Sequence, residues 1–193
     1  MNAPGPGIVL RSLHDQNIQI VSDLVESNFK NLLADHQVIC LLLNFPIEDR
    51  DITSTYLGTE SMSVNLPAEC NLNQHKELSF KMLKGKTILS PSPIGFWTKI
   101  YQDEIPDSKI IFQNESSEYS EILQYSVLPF FTTNLTSLDS QWGHNLPDNR
   151  RVRPLKDEVA HQKFYACYLK QNKDRVQPLI EKLQDQWSKY DQK

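Results

Sequence analysis

The chain has little cysteine, little glycine and no long apolar run, and each scarcity excludes a class of protein. Its three cysteines, Cys40, Cys70 and Cys167, share no Cys-x-x-Cys spacing. No zinc site is therefore expected, and an odd count without a disulfide pattern fits a reducing compartment. The five histidines, His14, His36, His75, His144 and His161, contain no pair at metal-ligand spacing. Only six glycines are present. They form no phosphate-cradling loop, and no serine stands on the glycine-flanked elbow of a hydrolase. The longest apolar stretch, residues 38–43, is far short of the roughly 20 residues that span a bilayer. The start, Met1-Asn2-Ala3-Pro4-Gly5-Pro6-Gly7, has neither the basic flank nor the apolar core of a signal peptide. Positive charge is also scarce: 20 Lys and Arg face 24 Asp and Glu, for a net charge of −4. The one basic cluster, Arg150-Arg151-Val152-Arg153, is too short to make a nucleic-acid surface. These absences predict a soluble cytoplasmic protein with no metal, no cofactor and no catalytic residue.

What is present is an ordered set of short apolar runs, each broken by Pro, Ser, Asn or Gly. They are Met62-Ser63-Val64-Asn65-Leu66-Pro67, then Lys86-Thr87-Ile88-Leu89-Ser90-Pro91, then Lys109-Ile110-Ile111-Phe112-Gln113, and Val127-Leu128-Pro129-Phe130-Phe131. Buried strands that end in loops read this way. A helix of two turns fits between the second and third, at residues 96–104. Strand, polar loop, helix, strand is the pattern of an open α/β sheet, in which ligands sit at strand ends.

The flanking regions carry the same pattern. Ile8-Val9-Leu10 reads as a short strand ending in Ser12-Leu13-His14-Asp15-Gln16. Ile18, Val21, Leu24, Val25, Phe29, Leu32 and Leu33 recur at helical spacing, which predicts one helix over residues 18–33. Val38-Ile39-Cys40-Leu41-Leu42-Leu43 is apolar without alternation, as in an interior, parallel strand covered on both faces. Residues 52–56 and 61–66 read as two strands, and residues 80–83 as one helical turn. Residues 136–151 form a long loop. Late strands are expected at 152–155 and 163–169. A last helix carries the stripe Val176, Leu179, Ile180, Leu183 and Trp187, with Pro178 tolerated in its first turn.

The polar side chains at strand ends are the candidate site. Ser90, Ser92, Asn114, Ser116 and Ser117, with helix-start amides behind them, suit a small polar or anionic molecule. The same residues serve equally as caps and turn formers. Ser12 and His14 lie in the loop after the first expected strand. The carboxylates Glu115, Glu118 and Glu121 stand at helix-face spacing and read as a solvated face.

In this order the segments resemble the effector-binding domain of LysR-type transcriptional regulators. Asn2-Ala3-Pro4 through Arg11 is similar to that family's "aP-x-v-x-l" entry to its second strand. Gln37-Val38-Ile39 and the following leucines resemble its "vDlai" strand, without the Asp. Tyr56-Leu57-Gly58-Thr59-Glu60-Ser61-Met62-Ser63-Val64-Asn65-Leu66-Pro67 is similar to its "pLxxexlvlvlP" stretch. His75 falls near "HPLA", Leu83-Lys84-Gly85-Lys86 near "dLagepfI", and Val127-Leu128-Pro129 near "Gia-lLP". The Gly-rich turn before that last motif is replaced by Gln124-Tyr125-Ser126. Pro154-Leu155, the 164–169 strand and the last helix match the closing pattern. Relative to the family, the chain begins about one strand and one helix late and has no helix-turn-helix in front.

The resemblance implies a two-lobe type-2 periplasmic-binding-protein-like α/β fold with central mixed sheets. Lobe I would be residues 7–65 plus 161–193, and lobe II residues 66–160. A small-molecule effector would lie between the lobes, against Ser12, His14, Ser90, Ser92, Asn114, Ser116 and Phe130. The domain would dimerise, and DNA would be reached only through a helix-turn-helix outside this chain. The competing expectation is a truncated, non-sensing paralogue that serves as a dimerisation or interaction module. An enzyme on a similar fold is the third.

Overall fold

The computed structural model describes residues 4–14, 18–21, 29–91, 94–113, 122–123, 125–136 and 150–191. In chain order its elements are α1 (Pro4–Ser12), α2 (Phe29–Ala34), β1 (Leu41–Leu43), β2 (Ile52–Pro67), α3 (Phe80–Leu83) and β3 (Thr87–Pro91). They continue with α4 (Phe96–Glu104), β4 (Lys109–Gln113), β5 (Phe130–Thr133), β6 (Arg150–Pro154), β7 (His161–Leu169) and α5 (Lys173–Asp191). The strand order is β1-β7-β2-β5-β3-β4, with β6 also paired to β2. Contacts divide the chain into two compact units, Met1–Glu60 with Gln162–Lys193, and Ser61–His161. The fold is mixed α/β and type-2 periplasmic-binding-protein-like.

In the first unit, β1 pairs antiparallel with β7, Leu41 opposite Cys167 and Leu43 opposite Tyr165. Leu33, Leu41, Leu43, Ile52 and Cys167 form one apolar cluster. Val176, Ile180, Leu183 and Trp187 recur every three or four residues along α5 and are all buried. Trp187 closes this core: its indole N–H donates to the Thr59 carbonyl at 3.0 Å, and its ring lies 5.5 Å from that of Phe164. The close approach requires Gly58, where a Cβ would stand 2.3 Å from the indole. Helix α5 begins at Lys173, so Pro178 sits in its second turn rather than its first. The Asp174 carbonyl thereby lacks its i+4 amide donor.

In the second unit, β2 pairs antiparallel with β5 over residues 62–65 and with β6 over residues 63–67. Strand β3 runs parallel to both β4 and β5. Tyr101 of α4 stacks on Phe131 at 5.0 Å, and Phe80 of α3 meets the same ring edge-on at 6.0 Å. Helices 80–83, 96–104 and 173–191 and strands 87–91, 109–113 and 161–169 form where the sequence pattern predicts them.

Four expectations are corrected. Residues 8–10 are helical, within α1, not a strand. The prolines at 4 and 6 fall in the first turn, where a missing N–H costs little, and Ile8 and Val9 are buried. Tertiary burial outweighs the strand preference of Ile and Val. Residues 18–21 are neither helix nor strand, and the described helix of that region is α2 alone, starting at Phe29. Residues 38–43 yield only the three-residue β1, antiparallel and at the end of the order, not a parallel interior strand. The separate strands 52–56 and 61–66 are one continuous strand, β2. Glu60 in its middle is buried, packed so closely on Gly5 that a Cβ there would lie 2.4 Å from the carboxyl.

Candidate functional site

In the second unit, the end of β3 is fixed by a buried pair of hydroxyls. Ser90 occupies the last buried position of β3, paired in register with Phe112 of β4. Its Oγ lies 2.8 Å from the Tyr101 hydroxyl and donates to the Pro91 carbonyl at 3.0 Å. Burial raises the Tyr101 phenol above its ordinary range, opposed by its hydrogen bonds with Ser90 and Thr98. It stays a neutral hydroxyl and locks α4 to the end of β3.

Helix α4 then starts at Gly95, whose φ of 63° favours glycine. Among the described residues no side chain caps this start, and the Thr98 amide returns to the Gly95 carbonyl at 3.2 Å. The next residues therefore present amide donors at the positive end of the helix dipole. Trp97, in the first turn, is buried, and among the described residues its Nε1 has no hydrogen-bond partner. Uncapped first-turn amides suit a carboxylate or similar anion.

The other expected site residues divide into three groups. Ser92, Asn114 and Ser116 lie outside the described residues, as do Ser117 and the acidic run Glu115, Glu118 and Glu121. Ser12 and His14 follow a helix, not a strand. The Ser12 hydroxyl donates back to the Val9 carbonyl at 2.7 Å. His14, at φ 50°, closes the helix end, with Nδ1 donating to the Ser12 carbonyl at 2.8 Å. Phe130 is buried against Leu89 and Leu123, with the Arg150 guanidinium 4.8 Å from its ring centre.

That arginine is the feature sequence reading missed. Arg150 begins the basic cluster, yet it is only 9% exposed. Its Nε donates to the Asn65 side-chain oxygen, and Nη2 to the Asn65 carbonyl at 3.1 Å. Nη1 reaches the Ser126 carbonyl at 2.7 Å, and Nη2 that of Leu128 at 2.7 Å. One guanidinium thus ties β2, β6 and the approach to β5 together, using the planar fork of Arg. Only the strand register reveals it, because Arg151 and Arg153 beside it have the same sequence character.

The first unit holds a cavity of about 550 Å³. Its wall is mostly apolar, from residues 18–21, residues 37–42 and α5, with Arg175 and Lys182 among the lining. Cys40 lines it too, and burial pushes that thiol up to about 12, the neighbouring Cys167 adding to the shift. Burial also raises Cys167. Neither sulfur is a thiolate near neutral pH, so nucleophilic sulfur chemistry has no footing. Among the described residues, no group of three or more His, Cys, Asp or Glu side chains is placed to hold a metal ion. Nor is any described helix long and apolar enough to cross a membrane.

No protein-family model and no curated protein matches the sequence. Solved structures do match it. The reduced OxyR regulatory domain from Pseudomonas aeruginosa is similar at a TM-score of 0.66 and 14% identity, over 98% of this chain and 92% of that one. The regulatory domain of MetR, a LysR family regulator from N. meningitidis, is similar at 0.66 and 11% identity, over 93% of this chain and 87% of that one. The BenM effector-binding domain with its effector benzoate is similar at 0.58 and 19% identity, over 96% and 85%. Against a full-length OxyR from P. aeruginosa the chain spans 64% of the length. The fold is that of the effector-binding domains of LysR-family regulators.

Proposed function

We propose that this chain is the ligand-sensing regulatory domain of a LysR-type transcriptional regulator. The observation that supports this reading is a shared fold over 92–98% of the chain. In this reading the first unit is regulatory subdomain I and the second is subdomain II. The effector is a small polar or anionic molecule, held by the first-turn amides of α4 and the Trp97 indole N–H, with Ser92, Asn114 and Ser116 contributing hydroxyls and an amide. Ser12, His14, Ser90 and Phe130 complete the assigned contacts. An effector that prefers one arrangement of the two units shifts a homodimer's populations, and so the angle of DNA readers carried outside this chain. The protein works in the cytoplasm, without cofactor or catalytic step.

Native mass spectrometry of the purified chain, followed by thermal shift with benzoate and other small carboxylates, tests the reading. A co-purified small molecule, or a carboxylate that raises the melting midpoint, supports it. Losing one hydrogen bond to a charged ligand costs about 1.5–3 kcal/mol, so Ser92→Ala should weaken such a ligand roughly tenfold or more. The alternative is a truncated, non-sensing paralogue that acts as a dimerisation or interaction module. A stable dimer with no ligand response at any carboxylate would favour it.

A further inference from the structure

We draw no further inference here: the strongest candidate, the cavity of about 550 Å³ beside β1 and α5 in the first unit, is walled in part by residues 18–21, whose neighbours in the chain lie outside the described residues, and nothing in the structure shows what covers it.

Discussion

The two ends of the strand order, β1 and β4, are edges of opposite kinds. Strand β4 is half-buried at Ile110, Ile111 and Gln113, with Lys109 and Phe112 turned to solvent, and its length matches β3 residue for residue. It is protected as edges usually are, with a charge near one end and a half-wet face. Strand β1 is three leucines long, wholly buried, and borders a cavity. Leu41 and Leu43 pack in one apolar cluster with Leu33 of α2, Ile52 of β2 and Cys167 of β7.

The units also differ in how they bury polarity. The first buries the Glu60 carboxyl against Gly5 and closes around the Trp187 indole. The second carries a buried guanidinium and a hydroxyl pair within its sheet. The largest expected effect follows from that closure. Trp187→Ala removes a fully buried indole and should cost about 3–5 kcal/mol, with Leu183→Asp at least as severe. Hydrogen exchange should then accelerate at β1 and β7 before it does at β3 and β4. Simultaneous loss at both edges would show that the units do not unfold separately.

Next in size is Arg150→Met. The methionine covers part of the same volume but leaves the Asn65 side-chain oxygen and several carbonyls with fewer donors. Each unsatisfied buried acceptor costs about 1–3 kcal/mol, so denaturant unfolding should report a loss of at least that order. If Arg150→Met is neutral, the guanidinium is not the tie that the register suggests.

Ser90→Ala is milder. It removes the Tyr101 contact and the bond to Pro91, for a loss of about 1 kcal/mol. Because the Ser90 hydrogen bond lowers the Tyr101 phenol, its removal should move the alkaline titration of that tyrosine higher still. An absorbance titration in which this tyrosine moves down would contradict the assigned hydrogen bond.

The smallest effect is one of slope. Cys40 is held at about 12 in the folded chain against 9.0 for an ordinary thiol. The unfolded chain releases this proton first as pH rises, so the thiol's contribution is complete below pH 9 and declines as pH climbs toward 12. Urea midpoints measured across that window should fall less steeply for Cys40→Ala than for the unaltered chain. Identical slopes would mean that the thiol titrates normally.

Sequence pattern alone establishes the class of fold and several elements. Helix 96–104, strands 87–91 and 109–113, and the stripe of α5 are legible because each is decided within a dozen residues. Local periodicity, a glycine at the helix start and prolines at strand ends carry that information. The collinear order of weak segments adds the resemblance to LysR effector-binding domains, which the shared fold matches. Three features are decided only by tertiary structure. Residues 4–12 become a helix because burial of Ile8 and Val9, with Gly5 fitted against Glu60, outweighs their strand preference. Arg150 becomes a buried tie, while its neighbour Arg151 stays on the surface, because the β2–β6 register places it opposite Pro67. And β1, whose composition is that of a strand flanked on both sides, stands at the end of the order. A strand's neighbours are fixed by partners far away in the chain, and local periodicity holds no record of them.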